Sequence, residues 1–501
     1  MPAPITHVAF GPHLASAPEG VRAKVVLGPK GSLKLDAIPA LTESSAFSSL
    51  AVEAAAPLHL PEGERTASVT LWTTGEDGAA ERVTLAHFCN KKSRNMGVLR
   101  SDKLRAAAET HVPATGDALV VVVVENAAEA FAAGLAVAKN WPLYTRKTGG
   151  ERDERTVYVD FAVADGSEVD YDELTKVAKA VRDTQRRVDT APCELTTSIY
   201  VEEAKALVER LDDPNVSITI IQGEDLREQG FGGLWGVGKA AEFPPALVVL
   251  SHVPETVEKT VALVGKGIVY DCGGLSLKPT ASMTTMKSDM GGSAAVLGAF
   301  EALVTTGAAP TTAVHALLCL AENAIDAKAY KNDDILTLYS GKTVEIVNTD
   351  AEGRLVLGDG VAYASKHLNP DVVVDIATLT GAQFITTGTV HAAVLTADEE
   401  VEAKIVAAGK TTGDLTYPMI YAKELLMPQF ESKVADMTNS VKDRMCASSA
   451  AAGHFVEAHL DAEFTGAGKP FLHVDIAGPS MSAGRATGHG AALLYQFTKN
   501  F

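Results

Sequence analysis

The sequence predicts an α/β protein built as a smaller N-terminal α/β domain (residues 1–165), a connecting helix (166–190) and a larger C-terminal α/β domain (191–501) with a mixed sheet covered by helices. Three observations predict it. The 501 residues, 46% hydrophobic and 21% charged, suffice for two or three domains with cores of their own. Short β-branched runs alternate with longer helical patterns through the last three hundred or so residues. The composition shifts near the first third, where a charged stretch precedes an amphipathic helix.

Taken in order, the first clear strand is Ala118–Val124, an all-apolar run closed by Glu125 and far short of the roughly 20 residues that span a bilayer. A charged, glycine-containing stretch from Lys147 to Arg155 leads to a second apolar segment, Thr156 to Val163. From Tyr171 to about Val188 the period is helical: Leu174, Val177, Ala178 and Val181 share one side, with Arg182, Arg186 and Arg187 nearby. Thr190-Ala191-Pro192 ends it. The runs that follow are Val216 to Ile221, Ala246 to Leu250, Val261 to Val264, Thr312 to Leu320, Val372 to Ile376 and Leu472 to Ile476. Such strands, separated by helices, form a parallel or mixed sheet covered on both faces. Ligands bind beyond the carboxyl ends of such strands, so the polar residues that follow them are the ones to inspect.

Several function classes drop out. No Lys or Arg precedes Arg22 and no apolar core with a cleavage signal follows, so a secretory leader is not expected and the cytoplasm is. The five cysteines (Cys89, Cys193, Cys272, Cys319, Cys446) are scattered and odd in number, which indicates reduced thiols rather than a disulfide framework. With 63 acidic against 44 basic residues the net charge is -19, which repels phosphate backbones. The best basic patch, Lys91, Lys92, Arg94, Arg100, Lys103 and Arg105, has no interleaved aromatics to stack bases and reads as a solvated face. Neither membrane nor nucleic acid is an expected partner.

Common motifs fail. Gly341-Lys342-Thr343 lacks the earlier glycine of a P-loop, Leu336 standing in its place, and Gly236-Val237-Gly238 lacks the third glycine of a dinucleotide fingerprint, so both are expected to be turns. Two stretches stand out instead. Gly265 to Gly274 places Lys266 and Asp271 around a short apolar hop and runs on to Lys278 and to Lys287-Ser288-Asp289-Met290-Gly291-Gly292, with Asp289 where a helix over Ser293 to Leu303 should begin. Asn348 to Leu355 carries Asp350, Glu352 and Arg354 at alternate positions, which in an extended segment share a face. Taken singly, each reads as a helix cap, surface charges or a solvated loop. Together, four carboxylates (Asp271, Asp289, Asp350, Glu352) and a lysine able to donate a neutral amine suit two divalent cations sharing bridging oxygens. Without cations they would repel one another.

At these residues the sequence resembles the M17 leucyl aminopeptidase family, whose hallmark octapeptide Asn-Thr-Asp-Ala-Glu-Gly-Arg-Leu is intact at Asn348 to Leu355. Lys278-Pro279, Met286 to Gly292, Ala377 to Ala382 and Asp475-Ile476-Ala477-Gly478 recur in family order. The run Ser340 to Gly360 and the segment Cys319 to Asn323 are similar to the probable aminopeptidase-like branch. The resemblance covers roughly Arg182 to Phe501; the first third shows no matching motif. It implies Lys266, Asp271, Asp289 and Glu352 as ligands of one metal and Asp271, Asp350 and Glu352 as ligands of the other. It further implies Lys278 as the group that polarises the scissile carbonyl and Arg354 as the holder of a bicarbonate. Met286, Asn348, Thr378, Leu379, Gly381 and Ala477 fall where the family lines its substrate pocket. Cys272 departs from the family's usual Ser or Thr, and Asn332-Asp333-Asp334 from a Pro-Gly-Asp turn.

The implied activity is a metal-dependent aminopeptidase that removes the N-terminal residue of peptides through a two-metal-activated water, one metal taking the free α-amine. Bicarbonate is the expected base, since an arginine accepts no proton and no histidine lies in these motifs. The oxygen-rich ligands leave Zn, Mn, Mg or Co open. A homohexamer is implied. The rivals are another two-metal hydrolase, such as a phosphoesterase, which would more usually recruit His ligands, and a metal-dead or nucleic-acid-binding scaffold.

Overall fold

The computed structural model describes residues 5–14, 18–29, 67–74, 78–148 and 154–501. The chain forms two compact units, residues 1–182 with 409–413 and residues 183–408 with 414–501, and the division falls inside the helix Tyr171–Asp189.

The first unit holds a six-stranded sheet in the order Thr6–Phe10, Arg155–Val163, Ala118–Val124, Ala23–Pro29, Ala80–Phe88, Ala67–Thr74. All neighbours are parallel except the last pair. Ala118–Val124 lies inside this sheet with every residue buried, which is why it is apolar without alternation. Leu174, Val177, Ala178 and Val181 are buried, as the helical period predicts. Of the charged stretch Lys147 to Arg155, residues 149–153 lie outside the described residues. The basic patch is partly neutralised within its own unit: Arg100 pairs with Asp102 at 2.7 Å and Lys92 lies 3.6 Å from Glu129.

The second unit is built on an eight-stranded mixed sheet in the order Thr416–Pro418, Ala392–Leu395, Phe471–Asp475, Val372–Ala377, Lys259–Asp271, Thr312–Asn323, Ala246–His252, Val216–Gln222. Phe471–Asp475, Val372–Ala377, Lys259–Asp271 and Thr312–Asn323 run parallel, so their carboxyl ends share one edge. Ala246–His252, Val216–Gln222 and Ala392–Leu395 pair antiparallel to their inner neighbours. Gly291–Thr306 and Gly353–His367 are almost wholly buried helices packed on this sheet.

Three expectations need correction. The strand expected at Val261 to Val264 runs on to Asp271, because the glycines at 265 and 267 sit in a buried ladder where neighbours approach too closely for a side chain. Gly236-Val237-Gly238 is no turn but the end of the helix Gly232–Gly238, whose glycines fit against Leu336 and Pro245. The octapeptide is not extended throughout: Glu352 already has helical backbone angles and Arg354 lies in the first turn of Gly353–His367. Gly341 does sit in a turn, at φ +85°. Among the described residues no helix is long and apolar enough to cross a membrane, and the five cysteines are unpaired.

Candidate active site

The strand Lys259–Asp271 carries the first two site residues. Lys266 and Asp271 are five positions apart, so in a regular strand they would face opposite sides. Pairing with Thr312–Asn323 slips between Ile268↔Ala321 and Asp271↔Asn323, three steps on one strand against two on the other. The extra residue is a β-bulge, which reverses the alternation and turns both side chains to one face. The chain then turns sharply through Gly273 and Gly274, at φ +88° and +62°, conformations that side chains rarely adopt.

Asp289 lies in the 3-10 turn Met286–Met290, ahead of the helix Gly291–Thr306. It faces Lys266, whose Nζ donates to Asp289 Oδ1 at 2.8 Å and lies 2.9 Å from Glu352 Oε1. Gly353 leaves room for this lysine, since a Cβ there would lie 2.5 Å from Lys266 Cε. Lys278 spans the other two carboxylates, its Nζ 2.8 Å from Asp271 Oδ2 and 2.5 Å from Asp350 Oδ1. Lys266, Asp271, Asp289 and Glu352 are buried, while Asp350 and Lys278 keep some exposure.

The electrostatics follow from burial. Burial disfavours the Lys266 ammonium, but Asp289, Glu352 and Asp271 outweigh it and hold the pKa well above the ordinary lysine value. Lys278 is raised by Asp271 and Glu352 in the same way. Asp289 and Glu352 are pushed above the usual carboxylate range by burial and by repulsion from neighbouring acids, and burial also raises Asp350. Two lysines thus stand against four carboxylates. Glu352 Oε2 is buried with no hydrogen-bond partner among the described residues, and ligand atoms of Asp271, Asp350 and Glu352 lie within 4.8 Å of one another. A buried carboxylate oxygen left without a partner, in an all-oxygen cluster with a nearby amine, fits divalent cations.

Arg354 is buried at 7% exposure, its guanidinium carbon 5.9 Å from the ring centres of Phe430 and Phe455. Its Nε and Nη1 have no hydrogen-bond partner among the described residues, and burial lowers its pKa to about 10. A desolvated fork of this kind fits a small anion.

The residues expected to line a substrate pocket are placed unevenly. Thr378 belongs to the cation cradle: its Oγ1 donates to Asp289 and its carbonyl accepts from Lys266. Leu379 and Ala477, both half-buried, donate their backbone N–H groups to the same carboxylate, Asp475. The Asn348 side chain accepts from the Asp350 N–H at 3.0 Å and so shapes the octapeptide turn. Met286 opens the 3-10 turn and Gly381 opens the helix Gly381–Thr386, its Cβ direction free of neighbours.

Four supporting residues have no role assigned from the motifs. Asn323, fully buried, donates from Nδ2 to Asp271 Oδ1 at 2.8 Å and to the Thr349 carbonyl at 3.1 Å, joining the two ligand stretches. Tyr330 O–H donates to the same carbonyl. Asn439 brackets the octapeptide, accepting from Val347 and Asn348 and donating to the Asn348 carbonyl at 2.6 Å. Asp475 is the fourth. Asn323 and Asp475 lie within segments that carry the family resemblance and at strand carboxyl ends, and both signals could have marked them.

A family model described as the cytosol aminopeptidase family, catalytic domain, matches residues 183–495, and one described as M17 aminopeptidase N-terminal domain 2 matches residues 25–150, where motif reading found nothing. The chain is 46% identical to a mouse protein named probable aminopeptidase NPEPL1 over 82% of this chain and 78% of that one. It is 46% identical to leucine aminopeptidase 1 of Caenorhabditis elegans over 72% of this chain and 71% of that one. The fold matches leucyl aminopeptidase from Trypanosoma brucei in complex with bestatin, with TM-score 0.88, 37% identity and coverage of 99% and 96%. The corresponding enzyme from Leishmania major in complex with actinonin gives 0.89, 35%, 99% and 95%. The chain therefore belongs to the M17 cytosol aminopeptidase family, close to its probable aminopeptidase branch, and is a hydrolase of the metallo-exopeptidase class.

Proposed function

We propose that the protein removes the N-terminal residue from peptides at the carboxylate cluster of the second unit, using two divalent cations. The observation that carries this reading is the convergence of Asp271, Asp289, Asp350 and Glu352 around two lysines, with Glu352 Oε2 unpartnered among the described residues. Lys266, Asp271, Asp289 and Glu352 would hold one cation, and Asp271, Asp350 and Glu352 the other. Bound cations would supply Lewis acidity, lowering the pKa of the attacking water and taking the free α-amine that marks a peptide's N-terminus.

This chain's own residues do the rest. The Lys278 ammonium, kept charged by its acidic neighbours, donates to the carbonyl oxygen as it becomes an oxyanion. Arg354 would hold a bicarbonate, its Nε and Nη1, without partners among the described residues, being the donors such an anion needs, and the anion would supply the base that an arginine cannot be. Met286, Asn348, Thr378, Leu379, Gly381 and Ala477 line the substrate pocket. The division into an N-terminal domain (1–165), a connecting helix (166–190) and a catalytic domain (191–501), the homohexamer and the cytoplasmic location belong to the same proposal, supported by the family.

A panel of aminoacyl-p-nitroanilides assayed with Zn, Mn, Mg or Co tests the reading. Release of p-nitroaniline only from substrates with a free α-amine, lost on chelation, is the expected result. Turnover of N-acetylated substrates, or of phosphate esters instead, would overturn it.

A further inference from the structure

Asp475 ends the strand Phe471–Asp475 fully buried, and its carboxylate receives four hydrogen bonds. The backbone N–H of Leu379 reaches Oδ1 at 3.1 Å and that of Ala477 reaches the same oxygen at 3.2 Å. Thr380 Oγ1 donates to Oδ2 at 2.6 Å and Ser449 Oγ at 2.9 Å. A carboxylate has about four lone-pair sites, so Asp475 has none left for substrate or cation. The bond from Ser449 ties the carboxylate to the helix Ser448–Glu457, and the other three hold two loops. One carries Thr378, Leu379 and Gly381; the other carries Ala477.

A second buried side chain works on the same pair of loops. Gln383 accepts from the Gly478 N–H at 2.6 Å and donates to the carbonyls of Gly388 and His391. Gly478 is needed for that approach, since a Cβ there would lie 2.4 Å from the Gly388 carbonyl oxygen. The 378–381 loop is fixed at its other end to the cation cradle through Thr378, which bonds both Lys266 and Asp289.

We propose that Asp475 is a positioning residue that fixes the separation of Leu379 from Ala477 and thereby sets which N-terminal side chain the enzyme accepts. The inference rests on the assignment of those two residues to the substrate pocket. One carboxylate oxygen bonds both backbones directly, so the gap between the two walls is set by a single atom rather than by a chain of packed side chains. A displacement of about 1 Å is enough to change turnover strongly. Ser449 differs: its hydroxyl comes from the helix Ser448–Glu457, outside both loops, and its loss leaves the gap unchanged.

The test uses the cation-loaded full chain and four variants: Asp475→Asn, Thr380→Val, Thr380→Ser and Ser449→Ala. For each, kcat and KM are measured on leucyl- and alanyl-p-nitroanilide, and bound cation by elemental analysis. Asp475→Asn and Thr380→Val should change the leucyl-to-alanyl ratio of kcat/KM by roughly tenfold, the scale of one or two methylenes in a pocket, mainly through KM and with cation content unchanged. Thr380→Ser should restore the native ratio, and Ser449→Ala should keep it. A ratio unchanged in both Asp475→Asn and Thr380→Val, with only thermal stability lowered, would overturn the proposal. Loss of cations in Asp475→Asn would also overturn it, by placing the effect at the cradle. A native enzyme that binds cations yet cleaves neither substrate would overturn the functional reading instead.

Discussion

The extra residue between Ile268 and Asp271 decides whether a site exists, because without it Lys266 and Asp271 would point to opposite faces of the sheet. Sequence shows which residue types are present but not such a slip in pairing, so their meeting was legible only through the family motif. The roles of Asn323, Asn439 and Asp475 were illegible for a related reason: each acts across long sequence distances, so even the quoted motif segments that contain Asn323 and Asp475 did not show what these side chains hold. Asp271→Ala and Glu352→Ala should each abolish peptidase activity and lower cation content, since each is assigned to both cations and its loss leaves both under-ligated; full cation content on elemental analysis would refute the ligand set. Lys278→Ala should retain its cations and lose roughly 2.7–4 kcal/mol of transition-state stabilisation, as for removal of an oxyanion donor, seen as a fall in kcat. Arg354→Ala should cost less and should no longer respond to added bicarbonate. Equal stimulation of native and variant enzyme would place the anion elsewhere.

At the scale of elements, the helix Gly353–His367 positions the octapeptide, and its anchor lies five residues beyond Arg354. Asp359 is fully buried and accepts from the N–H groups of Leu234 at 2.8 Å and Tyr339 at 2.7 Å, so it ties this helix to the helix Gly232–Gly238 and to the turn before Gly341. Alternate spacing in the octapeptide predicts an extended segment, since Asp350, Glu352 and Arg354 recur every second residue. The helix starts at Gly353 instead, where the backbone must pass Lys266, so the carboxylates and the guanidinium reach the site from a turn and a helix end. Burial pushes the Asp359 carboxyl up to about 7, the backbone donors opposing this. A folded-state value above the unfolded one means that the native state holds the proton more tightly, so this group's contribution is full in acid and is lost as pH rises toward 7. Asp359→Asn cannot titrate and turns an amide donor toward a backbone N–H. It should be less stable than the native protein by about 2 kcal/mol at pH 5, with the gap narrowing by pH 8. Thermal midpoints at both values check this, and a gap that widens with pH would contradict it.

The whole molecule consists of two units with separate sheets and separate hydrophobic cores, and the sequence disclosed them unequally. In the second unit four of the six strand runs were visible because buried parallel strands are continuously apolar and flanked by turn residues, and the other two, in the antiparallel strands Ala246–His252 and Val216–Gln222, by their β-branched and apolar composition. In the first, only Ala118–Val124 and the segment near Arg155–Val163 stood out. Ala80–Phe88 mixes polar and apolar residues although its last six residues are buried, and Ala67–Thr74 does so as a sheet edge. The division has a thermodynamic consequence. Ligands that bind only the native state stabilise it by RT ln(1 + [L]/Kd), and all the assigned cation ligands belong to the second unit. Removing cations leaves four carboxylates facing two lysines there and changes no assigned ligand in the first. Calorimetry with and without chelator should therefore show an unfolding transition that falls by several degrees when cations are removed. It should return when Zn or Mn is restored, and the shift should be absent in Glu352→Ala. A chelator effect of equal size in Glu352→Ala would mean that the stabilising cation binds outside the cluster of Asp271, Asp350 and Glu352.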